Sequence, residues 1–229
     1  MPIRIDDETK EKLRTILSQL KGEVKLRFFK PKGECRFCDD TEYILDVISS
    51  LTDKVRVEVG WEGSPEAEKY KLPMYPALLV HGERDYNIRF FGIPAGYEFG
   101  ALIEDIVDVS RGRTSVNLVV EKVVRERIRK PVRIMVFVTP TCPYCPLAVR
   151  AAHKLALISP LVTGDMIEAM EFTELADRYN VFSVPKNVIQ VDGKDVLEYE
   201  GAGPDAFLVA KVLEALGEEV PSELTNILY

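Results

Sequence analysis

Glutamine is almost missing from this 229-residue chain, present only as Gln19 and Gln190, and histidine occurs only as His81 and His153. So few histidines leave little material for a zinc finger of mixed cysteine and histidine ligands. Scarce glutamine beside 29% charged residues is a bias of proteins from hot environments, whose cytosols tolerate structural disulfides as well as catalytic ones. Positive charge is not in excess: the net charge is −7 and the pI about 5.1, so the footprint needed to grip a phosphate backbone is missing and nucleic acid is excluded as a partner. Nor does any stretch approach the roughly 18 uninterrupted apolar residues of a membrane span. The N-terminal "MPIRIDDETKEKLRTILSQLKGE" carries charges throughout in place of an apolar signal core, so a cytoplasmic protein with no membrane partner is expected.

What the chain does have is four cysteines in two pairs about a hundred residues apart, Cys35-Arg36-Phe37-Cys38 and Cys142-Pro143-Tyr144-Cys145. Around each pair the same order of elements is readable. The first half gives a charged helix over about 7–21, the strand "VKLRFF", the cysteines, a helix, the strand "VRVEV", a short helix, "YPALLV", a strand ending at Gly92 and a closing helix over about 97–109. The second gives a helix over about 116–128, the strand "PVRIMVFV", the cysteines, a helix, a strand near "AMEF", a short helix ending at Asn180, "VPKNVIQV", "LEYEG" and a helix from Asp205. Pro76 follows Cys35 by 41 positions and Pro185 follows Cys142 by 43, while the step from each proline to Gly92 or Gly201 is 16 in both halves. "SRGRTS" at 110–115 reads as the boundary between units 1–115 and 116–229. Each unit is α/β: a βαβ crossover with parallel strands, then a hairpin and a helix, forming a mixed central sheet flanked by helices. This order resembles a thioredoxin fold, present twice.

With the strand ending before Cys142, the spacing predicts a helix that begins at Pro143, whose missing N–H and fixed φ suit the first helical position. Cys142 would then be the N-cap, its sulfur facing unpaired backbone N–H groups and the positive end of the helix dipole, which favour thiolate. Cys145, one turn inward, is within reach to resolve a mixed disulfide on Cys142. The same reading makes Cys35 the attacking thiol and Cys38 the resolving one, with Arg36 as an added cationic stabiliser. The intervening residues, Pro143 and Tyr144 against Arg36 and Phe37, tune the redox poise of each pair.

Two tandem thioredoxin-like units, the second with Cys-Pro-Tyr-Cys as in glutaredoxins, are similar to the glutaredoxin-like protein disulfide oxidoreductases of hyperthermophilic archaea and bacteria. The resemblance covers nearly the whole chain. It implies dithiol–disulfide exchange on client proteins, with reductase, oxidase and isomerase activities and no bound cofactor. Electrons would come from NADPH through a thioredoxin reductase, and peroxiredoxin is among the partners. It also implies that Cys142 and Cys145 form the more active site, and that Pro76 and Pro185 are cis, with Tyr75 and Val184 offering their backbone to an extended client. One feature departs from thioredoxin proper. The buried aspartate six residues before the first cysteine is replaced by Phe29 and Val136. Glu171 in "AMEF", and its counterpart Glu58 in "VRVEV", are the candidate proton acceptors in its place.

Three other readings of the cysteines stay open at this point: a zinc site formed where the two pairs meet, purely structural disulfides, and one active pair beside a vestigial one. His153, eight positions beyond Cys145, is expected to be a packed or surface residue and not a base.

Overall fold

The structure, a computed structural model, describes residues 3–227. The first half runs α1 (Asp7–Leu17), β1 (Val24–Lys30), α2 (Cys38–Ser50), β2 (Val55–Trp61), α3 (Pro65–Tyr70), β3 (Ala77–His81), β4 (Ile88–Phe91) and α4 (Tyr97–Arg111). The second repeats it as α5 (Leu118–Arg127), β5 (Val132–Val138), α6 (Cys145–Ile158), β6 (Val162–Glu168), α7 (Thr173–Arg178), β7 (Lys186–Val191), β8 (Lys194–Glu200) and α8 (Asp205–Leu216), followed by the short α9 (Ser222–Thr225). No helix among the described residues is long and apolar enough to cross a membrane.

The eight strands of the described residues join one mixed sheet in the order β2-β1-β3-β4-β6-β5-β7-β8. Each half contributes four neighbouring strands, and the halves meet where β4 pairs parallel with β6. Because β1 and β3, and β3 and β4, are antiparallel while β4, β6 and β5 are mutually parallel, β1 and β5 point the same way. Both cysteine pairs therefore lie at one end of the sheet. They also lie on one face. Val24, Leu26 and Phe28 of β1 pack with Ile44 and Ile48 of α2 in the same core that holds Val136 of β5 and Val149 of α6, whereas Phe29 and Phe137 turn to the opposite face. Four strand spacings separate β1 from β5, or about 19 Å at the usual distance between neighbouring strands.

Buried charge clamps the two halves on both faces of the sheet. Asp165 of β6 is 0% exposed and receives Nε and Nη2 of Arg89 from β4 at 2.6 and 2.8 Å, with Nε of Arg133 from β5 at 2.6 Å. Burial alone would raise the Asp165 carboxyl, but the two guanidinium groups outweigh it and hold the pKa below the ordinary carboxylate value. On the other face Arg150 of α6 pairs with Glu104, Asp105 and Asp108 of α4, and His153 Nδ1 lies 2.6 Å from Asp105.

The structure shifts two elements from their expected positions. The strand expected near "AMEF" is Val162–Glu168, which ends just before that segment. Its "TGD" looks like a turn, yet Gly164 is there because a Cβ would lie 2.8 Å from the carbonyl oxygen of Ala152 in α6, and Asp165 is the clamp. The helices after the cysteines begin at Cys38 and Cys145, so Pro143 stands in the preceding turn and Cys142 is not the N-cap. The Cys142 N–H is turned back on Thr139 at 3.1 Å, and Pro146 takes the early helical position in place of Pro143.

Candidate redox site

Cys142 and Cys145 are joined as a disulfide, as are Cys35 and Cys38, each pair with a Cα separation of 5.5 Å. Though Cys142 does not cap the helix, its sulfur meets the backbone predicted to favour thiolate. Sγ accepts the Cys145 N–H at 3.1 Å, one of the donors left free at the start of α6. The same sulfur lies 3.7 Å from the carbonyl oxygen of Val184. The Val184–Pro185 and Tyr75–Pro76 bonds are both cis. Cys142 is 8% exposed and Cys145 is fully covered, while Cys35 is half-exposed over a buried Cys38. Attack from solvent can thus reach the first sulfur of each pair and not the second. Pro143 and Tyr144 are exposed beside the second pair, and Phe37 is packed against the core beside the first.

Each proline loop is held by a repeated contact: Gly92 and Gly201 donate their N–H to the carbonyls of Pro76 and Pro185 at 3.3 and 2.8 Å. Their φ values of +90° and +91° require glycine, which explains the shared step of 16 residues. Pro76 and Pro185 are buried against their cysteines' end of the sheet, with Tyr75 and Val184 half-buried before them.

Two open cavities lie at this end. One, of about 590 Å³, is lined by Glu34, Cys35, Arg36, Tyr75, Pro76 and Glu171. The other, of about 530 Å³, includes Arg36, Thr139, Met170, Phe182 and Val184. Arg36 lines both, its guanidinium 4.9 Å from the centre of the Phe37 ring, so a side chain between the first pair of cysteines also borders the second site. Phe182 and Met170, 89% and 60% exposed, give the second cavity an apolar rim.

The two glutamates proposed from sequence part ways here. Glu58 belongs to edge strand β2, opposite Arg27, with which it forms a 3.0 Å ion pair, and it lines a pocket with Phe29 and Trp61. That is the face of the sheet away from Cys38, so Glu58 takes no part in either site. Glu171 does reach a cysteine cavity, but that of the first half and not its own. Its Oε1 accepts the Ile93 N–H at 2.6 Å, and burial pushes its pKa up to about 7.

The sequence reading missed Glu98, in the first turn of α4. It is 1% exposed, both carboxylate oxygens are without a partner among the described residues, and burial, helped by Asp105, pushes its pKa up to about 8. The Tyr97 N–H donates to Pro140, just ahead of α6, and Asp105, two turns further along α4, touches Arg150 and His153 of α6. The helices therefore run side by side in one direction, which sets Glu98 against the first turn of α6, where Cys145 stands. The signal was present: Glu98 and Asp105 fall on the same helical stripe as Leu102, Ile106 and Val109, so two acids interrupt an apolar face.

A thioredoxin domain family profile matches residues 132–214. A protein disulfide oxidoreductase from Aeropyrum pernix K1 superimposes over 94% of this chain and 96% of its own with a TM-score of 0.83 and 26% identity. The chain is a tandem thioredoxin-fold protein. Its two Cys-x-x-Cys disulfides stand at equivalent positions of its two units. The alkylhydroperoxide reductase protein AhpF of Enterococcus faecalis shares the fold, with a TM-score of 0.80 over 90% of this chain at 24% identity. Among curated sequences, an alkyl hydroperoxide reductase component of Staphylococcus epidermidis is 26% identical over 93% of the chain, and a Bacillus subtilis protein named NADH dehydrogenase is 24% identical over 88%. This tandem thioredoxin-fold chain spans only 38–39% of the length of those two curated relatives.

Proposed function

We propose that the protein exchanges disulfides with client proteins, with Cys142 as attacking and Cys145 as resolving thiol of the principal couple and Cys35 and Cys38 as a second couple. The observation that carries this reading is the Cys142 sulfur, which holds a helix-start N–H on one side and faces the carbonyl of Val184 on the other. An extended client segment paired to the Val184 backbone would bring its own sulfur in line with Cys142. In the reducing direction, the Cys142 thiolate attacks the client disulfide and releases one client thiolate. Cys145 then loses its proton and displaces the second client sulfur, leaving the Cys142–Cys145 disulfide and a client carrying two more electrons and two protons. Glu98 is the acceptor for the Cys145 proton, since a buried carboxyl with a pKa near 8 can both receive and return it around neutral pH.

Tyr75 and Pro76 serve the first couple as Val184 and Pro185 serve the second, and Arg36, Pro143 and Tyr144 tune them. Reducing equivalents reach the couples from a pyridine nucleotide through a thioredoxin reductase or a related flavoprotein, and a peroxiredoxin is a natural client. A cytoplasmic location would supply that chain. The zinc alternative is disfavoured, because each cysteine pair is joined within itself and the strands leading into the two pairs stand about 19 Å apart.

The test is insulin reduction by dithiothreitol followed as turbidity, for wild type, Cys142→Ser, Cys35→Ser and the double variant. Wild type should shorten the lag, Cys142→Ser should remove at least nine-tenths of the acceleration, and the double variant all of it. Wild type no faster than dithiothreitol alone would sink the reading.

A further inference from the structure

Gly92 and Gly201 occupy equivalent positions beside the two proline loops, yet their surroundings differ. A Cβ on Gly201 would meet nothing within 4 Å, whereas one on Gly92 would lie 2.7 Å from Oε1 of Glu171 and 2.7 Å from Cβ of Glu168. The slot left open in the second half is filled in the first by two carboxylate side chains that come from the second. Glu171 is held there by the Ile93 N–H, and its own N–H is bound by Oε2 of Glu168 at 2.7 Å. Glu168 is 2% exposed, and its Oε1 has no hydrogen-bond partner among the described residues.

We propose that Glu171, supplied by the second half, carries the proton for disulfide exchange at Cys35 and Cys38 of the first. The proposal rests on the oxidoreductase reading above and gives the first couple a buried acid–base group that comes from the other half of the chain. Glu171 lines the same cavity as Cys35 and Pro76. The charged groups around it are Glu168 from the end of its own strand, Arg36 between the cysteines, and Glu34 on the cavity rim. Burial is the main force raising the Glu171 carboxyl, and Glu168 adds to it. The Ile93 N–H and Arg36 pull the other way, and the balance near 7 leaves both forms populated at neutral pH.

In the reducing direction the Cys35 thiolate bonds to one client sulfur, the client S–S bond breaks, and protonated Glu171 gives its proton to the departing client thiolate. Cys38 sulfur next bonds to Cys35 sulfur and the mixed disulfide breaks. The proton Cys38 gives up re-protonates Glu171 through solvent, and the second client thiolate takes a proton from water. The couple is oxidised by two electrons, the client is reduced by two, and Glu171 ends as it began.

The experiment isolates the first couple in a Cys142→Ser/Cys145→Ser parent, reduced beforehand. Single-turnover rates are measured between pH 6 and 9 with two disulfides, glutathione disulfide and 5,5′-dithiobis(2-nitrobenzoate). Glutathione leaves as a basic thiolate that needs a proton, whereas the nitrobenzoate thiolate leaves without one. Glu171→Gln should slow glutathione disulfide about tenfold or more at neutral pH, flatten its pH profile near 7, and leave the nitrobenzoate rate within about twofold, with Glu171→Asp recovering part of the loss. Equal slowing of both reagents, or of neither, overturns the proposal while the oxidoreductase reading stands. A parent that reduces neither reagent overturns that reading for the first couple and the proposal with it.

Discussion

Glu98 holds a carboxyl where water cannot reach it, and this burial sets part of the protein's response to pH. Its folded pKa, about 8, lies above the ordinary 4.5, so the folded state binds the proton more tightly than the unfolded chain does. The associated stability is fully present below about pH 4.5 and is lost as pH rises through 8. Asp165 has the opposite sign: its depressed pKa gives stability that is present above the ordinary value of 3.8 and lost as pH falls through the folded pKa. Urea midpoints at pH 3, 5, 7 and 9 should therefore pass through a maximum on the acid side of neutrality. Glu98→Gln, which cannot ionise, should gain on wild type by roughly 3 kcal/mol between pH 5 and 9. A constant difference between the two proteins across that range would show that Glu98 does not titrate there. The same variant should slow turnover by the second couple at least tenfold, read as insulin reduction in a Cys35→Ser background.

At the scale of elements, two glycines separate close packing from mere tolerance. A methyl on Gly164 would meet the Ala152 backbone of α6 at 2.8 Å, a contact that only a shift of helix against sheet relieves. Gly164→Ala should lower stability by about 2 kcal/mol or more. Gly100, exposed at the end of the first turn of α4 with nothing within 4 Å of an added Cβ, should become more stable by about 0.5–1 kcal/mol as alanine. Urea midpoints of the two variants moving in the same direction would contradict this. The same contrast explains what the sequence could reveal. Strand–helix alternation, the cysteine pairs, the prolines and their glycines are local patterns repeated in register, so both units were legible. The strand β6 was not, because its "TGD" owes its glycine to α6 and its aspartate to Arg89 and Arg133, partners that come from elsewhere in the chain. Glu58 and Glu171 misled for the same reason. They are not counterparts: Glu58 is the fourth residue of β2, a place that Asp165 takes in β6, while Glu171 lies beyond the end of β6 and against the other unit, and proximity across a seam has no signature in local spacing.

The whole molecule behaves as one body if its clamps matter as the geometry implies. Asp165→Asn would leave the guanidinium groups of Arg89 and Arg133 without a counter-charge and should cost about 3 kcal/mol. Trp61, the single tryptophan, lies in the first half, and its fluorescence should lose its native signal at the same urea concentration as the far-UV circular dichroism of the whole chain. Separate midpoints in the variant would mean that the halves fold independently. One sheet also holds the strands that lead into the two couples, β1 and β5, about 19 Å apart, so both couples open at the same end of the molecule.

The way the halves meet leaves a matching pair of edges outside. The seam joins the fourth strand of one unit to the outermost strand of the next, β4 to β6, and the free edges of the sheet, β8 and β2, are the same two kinds of strand. A contact of this head-to-tail kind does not close on itself; repeated from chain to chain it would grow an endless fibre. The sequence blocks that at the exposed ends. Where β4 reads "IRFF", β8 reads "KDVLEYE", and a row of charges along an open edge keeps the next molecule from adding its strand.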